Sequence, residues 1–190
     1  MRIVGGALKG RRLAAPTDAR IRPTSDRARE ALFNLLAHAD FGDFTLEGAR
    51  VLDLFAGTGA LGFEALSRGA AFCLFIDDHA PARALIQQNA ETLGLLDRSQ
   101  TMRRDAARLG AKPAGVEPSI LLFADPPYGK GLGVRALEGA RGGGWLAPHA
   151  LAVLEDAADA DIPTPEGFEL LDRRRYGAAQ LFIYRLVDSV

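Results

Sequence analysis

Val51-Leu52-Asp53-Leu54-Phe55-Ala56-Gly57-Thr58-Gly59-Ala60-Leu61-Gly62 is the stretch that decides the fold. A short apolar run breaks at closely spaced glycines, and a helical pattern then continues to Ser67. Strand, tight turn and helix in that order form the unit from which parallel sheets are wound. Glycine at such a turn lets the backbone approach a ligand where a Cβ would clash. The alternation continues downstream. Ala71–Ile76 reads as a strand and Pro81–Leu93 as a helix with proline near its start. Ser99–Arg103 is a weak strand, Ser119–Ala124 a strong one, Leu132–Ala140 a helix and Ala150–Glu155 a strand. Phe168–Arg174 and Gln180–Leu186 alternate apolar and polar residues around Tyr176-Gly177, the pattern of an antiparallel hairpin. The expected fold is α/β: a Rossmann-like, doubly wound sheet, mostly parallel and closed by a C-terminal antiparallel hairpin.

Upstream of the sheet the chain changes character. Residues 1–14 read as a short hairpin turning at Gly5-Gly6, and Ala15 to Pro23 is polar and irregular. Thr24 or Ser25 can cap a helix running to about Ala37, with Ala28, Ala31, Leu32, Leu35 and Leu36 on its apolar face. Eight lysines and arginines against three acids give residues 1–30 a charge of +5, which leaves −6 for the rest of a chain whose net charge is −1. A basic segment on an acidic body suits a phosphate-rich partner. A solvated charged face is the plainer reading, and for Arg29 in particular it stays open. At 190 residues and 48% hydrophobic the chain is long and apolar enough for one domain with a full core. No apolar stretch approaches the ~20 residues that span a bilayer. The start, Met1-Arg2-Ile3-Val4, has no long apolar segment of a signal peptide. The single cysteine, Cys73, fits a small core residue in a reducing cytoplasm. His38, His79 and His149 are scattered, so no metal site is expected.

The glycine loop also fits the dinucleotide fingerprint, Gly57-x-Gly59-x-x-Gly62, so a nicotinamide cofactor competes with other ligands. Asp53 argues against pyrophosphate. A carboxylate inside the strand just ahead of the turn suits a cationic group, such as the amino-acid end of S-adenosylmethionine. A helix-capping role for Asp53 is the alternative. Asp77 ends the next strand, where an acid can accept both ribose hydroxyls. Asp105 follows the third strand and either borders an adenine or caps a turn beginning at Ala106.

Asp125-Pro126-Pro127-Tyr128 follows the strongest strand. Two prolines stop the ladder and stiffen the exit, because each fixes φ and lacks an N–H. The result is a rigid shelf with an acid on one side and a ring on the other, at the sheet edge where open α/β folds bind ligands. That set suits chemistry on the exocyclic amine of a nucleobase; a proline turn carrying a surface tyrosine is the plainer reading, and the tetrapeptide alone leaves both open.

With these residues assembled, the chain resembles a known family. Asp53-Leu54-Phe55-Ala56-Gly57-Thr58-Gly59 looks like motif I of class I S-adenosylmethionine-dependent methyltransferases, and Asp125-Pro126-Pro127-Tyr128 like motif IV of their amino-group branch. Arg22-Pro23-Thr24-Ser25-Asp26-Arg27-Ala28-Arg29-Glu30-Ala31-Leu32-Phe33-Asn34, with Lys9-Gly10-Arg11-Arg12-Leu13 before it, is similar to the bacterial 16S ribosomal RNA guanine-N2 methyltransferases. The resemblance implies one domain over 1–190, with 1–45 as a basic hairpin-and-helix extension and 46–190 as the cofactor-binding catalytic core. It implies S-adenosylmethionine held by Asp53, Phe55, Ala56, Gly57, Thr58, Gly59, Asp77, Asp78, Asp105 and Ala106. Whether Asp77 or Asp78 meets the ribose stays open. It implies catalysis by Asp125, Pro126, Pro127 and Tyr128, the acid and the Pro126 carbonyl orienting the amine and the ring stacking on the base. Lys9, Arg11, Arg12, Arg22, Thr24 and Arg27 would meet RNA, and Arg22 to Ser25 could instead fold over the cofactor as a lid. The implied partner is 16S ribosomal RNA in a small-subunit assembly particle, met by a cytoplasmic monomer without metal. A DNA adenine-N6 methyltransferase and a non-catalytic ribosome-assembly factor are the competing readings.

Overall fold

The inner parallel strands form where apolar residues fall on both faces of a run, because such strands can only be satisfied inside a sheet covered on both sides. The computed structural model describes residues 1–14 and 26–187. The elements are α1 (Asp26–His38), β1 (Arg50–Leu54), α2 (Ala60–Ser67), β2 (Phe72–Ile76), α3 (Ala80–Leu93) and β3 (Ser99–Met102). They continue with β4 (Ser119–Ala124), α4 (Leu132–Gly142), β5 (Leu146–Ala157), β6 (Phe168–Tyr176) and β7 (Ala179–Leu186). One sheet of seven strands runs in the order β3-β2-β1-β4-β5-β7-β6. The first five strands are parallel, and β7 is antiparallel to both β5 and β6. The chain winds from β1 out to β3, then returns to place β4 on the other side of β1. The gap between the carboxyl ends of β1 and β4 is the topological switch point, where such sheets bind ligands.

Alternation along the strands sends side chains to two cores. Val51, Phe75, Phe123 and Val153 pack on one face with Leu32 and Phe33 of α1, Phe63 of α2 and Ile86 of α3. Leu52, Leu74, Leu122 and Leu154 pack on the other with Leu137 of α4 and Trp145. Cys73 is buried in the first core, where desolvation pushes its thiol well above the usual range and leaves it inert.

Three expectations need correction. The start of the chain is hairpin-like but makes a single bridge, Arg2 to Arg12, and its turn spans the residues from Gly5 to Gly10. Its arms are joined by backbone bonds such as Ile3 N–H to the Arg11 carbonyl at 2.9 Å, and α2 holds it as well: Val4 N–H donates to Glu64 Oε2 at 2.9 Å and Leu8 N–H to Ser67 Oγ at 2.9 Å. In α1 the buried face is Arg29, Leu32, Phe33 and Leu36, displaced from the apolar stripe that includes Ala28 and Ala31. The displacement comes from Arg29, which is fully buried and paired with Asp26 (2.8 Å) and Glu64 (3.5 Å). It is therefore neither a phosphate ligand nor part of a solvated face. Finally, β5 begins four residues before Ala150, across a kink at His149 (φ 59) where the register with β4 shifts. Pro148 and His149 interrupt the apolar pattern, which hid that first segment. The expected caps Thr24 and Ser25 lie outside the described residues.

Candidate active site

The site is assembled at the carboxyl ends of the five parallel strands. Asp53 of β1 pairs with Phe75 of β2 and Phe123 of β4, so its side chain points to the face covered by α2. Asp77 follows β2 and Asp125 follows β4 at the same edge of the sheet. Ala124 pairs with Leu154, which sets Asp125 beside Glu155 of β5. Between these carboxyl ends lies a cleft of about 760 Å³. Of the expected cofactor residues, Asp53, Phe55, Ala56, Gly57, Thr58, Asp77, Asp78, Asp105 and Ala106 line it. All four residues of the Asp125-Pro126-Pro127-Tyr128 shelf line it too. Gly59 does not reach the wall. It is the left-handed N-cap of α2 (φ 77), and a Cβ there would sit 2.6 Å from Phe63.

The loop between β1 and α2 is built to expose backbone. Phe55 takes a positive φ of 57°, a conformation that costs a side chain about 1–2 kcal/mol and that only surrounding contacts maintain. Three of those contacts are visible. Gly57 N–H donates to Asp77 Oδ2 at 2.9 Å. Gly59 N–H donates to the Ala56 carbonyl at 2.7 Å. Asn89 of α3 is buried, donates to the Thr58 carbonyl at 3.0 Å, and accepts from Ala14 N–H at 2.7 Å. The loop is thereby fixed to α3 and to the N-terminal segment before any ligand arrives.

Each acid has a local task as well as a place on the wall. Asp53 accepts Gly62 N–H at 3.0 Å, so it caps α2 and faces the cleft at once. Asp77 accepts from Gly57 N–H and His79 N–H, the latter at 2.8 Å, and so pins the loop against the start of α3. Asp105 accepts Ala107 N–H at 2.9 Å and so caps a short 3₁₀ turn, and it also lines the cleft.

The described lining contains six carboxylates and neither lysine nor arginine. Asp53 lies 2% exposed among them. Burial pushes its carboxyl well above the usual range; the Gly62 N–H pulls back, and the charges of Asp125 and Asp77 push further. Such a site disfavours an anion and is stabilised by a cation.

Several wall residues escaped sequence reasoning. Glu155 is one, and its carboxylate accepts the Tyr128 hydroxyl at 2.6 Å. Its only signal was an acid ending an otherwise apolar strand. Tyr176, Ala178 and Ala179 bring the hairpin turn to the rim, and His79 and Ala28 also line the cleft. Lys9, Arg11, Arg12 and Arg27 are exposed and none lines the cleft. Arg11 donates to the Thr92 carbonyl at 2.6 Å, at the end of α3. Arg22 and Thr24 lie outside the described residues. Among the described residues no group of three or more His, Cys, Asp or Glu could hold a metal ion.

Comparison with known proteins agrees with this geometry. A family model described as Conserved hypothetical protein 95 matches residues 1–185. The Ribosomal RNA small subunit methyltransferase D of Escherichia coli is 34% identical over 186 residues, covering 97% of this chain and 89% of that protein. Bacillus subtilis YlbH, named provisionally as an rRNA methyltransferase, is 34% identical over 187 residues, covering 97% and 98%. The solved Escherichia coli protein yhhF, described provisionally as a methyltransferase, superimposes with a TM-score of 0.81 at 33% identity and 98% coverage of both chains.

Proposed function

This chain belongs to the Conserved hypothetical protein 95 family, and from that premise we propose that it transfers the methyl group of S-adenosylmethionine to the exocyclic N2 of a guanine in small-subunit ribosomal RNA. One observation carries the reading. The glycine loop and the Asp125-Pro126-Pro127-Tyr128 shelf face each other across the switch point, in a cleft whose described charged walls are acidic. That lining fits a ligand with an ammonium and a sulfonium. It does not fit a dinucleotide, whose pyrophosphate would meet Asp53 and Asp77 at the glycine loop.

Asp53, Asp77, Asp78 and Asp105 are the residues that would hold the cofactor, and Phe55 to Gly57 present backbone and an apolar edge to it. The cofactor supplies a methyl group on a cationic sulfur, open to direct displacement. The protein's task is to aim a poor nucleophile, since an exocyclic amine shares its lone pair with the ring. Asp125 and the Pro126 carbonyl accept from the two amine hydrogens, which orients the lone pair and stabilises charge developing on nitrogen. Pro126 and Pro127 keep that shelf rigid. Tyr128 offers its ring to the base, which must leave its stack to enter.

RNA contact is assigned to exposed Lys9, Arg12 and Arg27. The substrate is an assembly particle of the small subunit, and the enzyme acts as a cytoplasmic monomer; sedimentation of the purified chain tests the last point. Among the described residues no helix is long and apolar enough to cross a membrane. To test the activity, small subunits lacking the modification and duplex DNA are incubated separately with methyl-labelled cofactor and then digested. N2-methylguanosine from the RNA alone is expected. N6-methyladenine in the DNA would overturn the substrate, and no label in either would overturn the reaction. Asp125→Ala should abolish transfer and leave cofactor affinity intact; loss of both would move Asp125 to the cofactor side.

A further inference from the structure

Glu155 lies on the acceptor side of the cleft, and nothing in the transfer step above uses it. It is 9% exposed, lines the cleft, and its carboxylate takes the Tyr128 hydroxyl at 2.6 Å. Ala124, the last residue of β4, pairs with Leu154, so Asp125 leaves the sheet next to Glu155 of β5, and both acids line the cleft. Val153, two residues before Glu155 on β5, packs in the core that also takes Val51, so Glu155 belongs to the face that carries Asp53. The acceptor site therefore presents two carboxylates side by side, both of them hydrogen-bond acceptors when ionised.

Nucleobases with an exocyclic amine differ in what stands next to it. In guanine the amine is flanked by a ring N–H, so its edge offers two adjacent donors. In adenine and cytosine the neighbouring ring nitrogen is an acceptor. Two adjacent carboxylates match the guanine pattern and place a lone pair against a lone pair for the other two bases. We propose that Glu155 is a specificity-determining residue that accepts the N1–H of the target guanine, beside Asp125 on its amine, and that Tyr128 holds the Glu155 carboxylate in that position. This deepens the guanine reading above and rests on it.

The test uses 2-aminopurine, which keeps the reactive amine but carries an acceptor at N1. Small-subunit particles are reconstituted with RNA carrying guanine or 2-aminopurine at the target position, and kcat/KM is measured for the wild-type chain, Glu155→Gln and Tyr128→Phe. The wild type should prefer guanine by about 100-fold or more, since a site built to accept a ring N–H is left facing a lone pair. Glu155→Gln can turn an amide N–H toward the 2-aminopurine N1, so it should lower that preference at least about tenfold. Tyr128→Phe keeps the ring but releases the Glu155 carboxylate, so it should lower the preference too, by a smaller factor than Glu155→Gln. If Glu155→Gln slows both equally, Glu155 only positions Tyr128 and the proposal fails. If the wild type methylates 2-aminopurine as well as guanine, it fails without reference to any variant. If the wild type methylates neither while binding cofactor, the guanine reading itself is overturned.

Discussion

Replacing Gly62 with alanine should damage stability and spare the cofactor, although this glycine completes a pattern usually read as a ligand loop. A Cβ at Gly62 would lie 2.5 Å from Cys73 Sγ and 2.7 Å from Phe75 Cζ, with Phe75 Cε1 closer still. Neither neighbour can retreat. Both are fully buried, and the Phe75 ring is held by Phe63 at a centroid distance of 4.7 Å. Overpacking of this kind costs about 1–3 kcal/mol, and the pinned ring puts it near about 3. Alanine regains about 1 kcal/mol over glycine inside a helix. The net loss is about 2 kcal/mol, a fall in Tm of about 4–8 °C for a chain of this size. The measurement is thermal and urea unfolding, with cofactor affinity determined by calorimetry well below the transition. Gly62→Ala should keep its affinity within about threefold, because the substitution retains the backbone N–H that Asp53 accepts. Phe75→Leu should recover part of the lost stability in the double variant. Gly57→Ala is the contrast: Gly57 lines the cleft at a φ of 58°, so it should lose cofactor first. A Gly62→Ala protein with unchanged Tm and a tenfold loss of affinity would refute the packing argument.

Glu64→Ala removes the buried acceptor of Arg29 and Arg68 and the acceptor of Val4 N–H, so urea unfolding should show a loss of about 3–5 kcal/mol; a loss below about 1 would mean the network is not shielded from water. Cofactor binding should release protons. Asp53 is raised in the free protein, chiefly by burial, and a bound cation favours its ionised form. Affinity should therefore climb with pH from the ordinary carboxylate range up to the raised value and then level off, and Asp53→Asn should flatten that climb; calorimetry in buffers of different ionisation enthalpy reads it directly. The stability sign runs the other way: ionising a raised acid costs the folded state, so the stability contribution of Asp53 falls as pH rises through the same window, and Asp53→Asn should be relatively more stable at neutral pH. Replacing Lys9, Arg12 and Arg27 together with alanine should weaken RNA binding and reduce the log–log salt slope by about 2–3, with cofactor affinity unchanged; an unchanged slope would place the RNA surface elsewhere.

The parallel strands were legible because their apolar runs are short, bounded by turn residues and separated by helical patterns, as in Val51 to Leu54 followed by Gly57. Turns with a fixed chemical cause were equally plain, the Pro126-Pro127 exit above all. What stayed hidden depends on contacts between distant residues. Arg29 reads as a surface cation in any local window, and only Glu64, thirty-five positions later on α2, makes its burial tolerable. Asn89 shows no motif, yet it joins Thr58 to Ala14. Glu155 follows from a register, Ala124 with Leu154, that no periodicity along one strand encodes.

The same contrast explains where this fold carries its strain. The apolar cores satisfy every level at once: strand, helix face and burial agree. Around the cleft they conflict, with a left-handed Phe55, a desolvated Asp53, and Asp125 and Glu155 on one cleft wall. Each conflict is held in place by a contact whose other end lies in a rigid element: Asp77 after β2, Gly62 in α2, Tyr128 on the proline shelf. A site arranged in this way has its geometry fixed before the ligand binds, so a cationic cofactor can draw Asp53 into its ionised form without reorganising the protein. Gly62→Ala and Asp53→Asn therefore separate the two halves of the design, since one perturbs the packing that holds the strain and the other removes the strain itself.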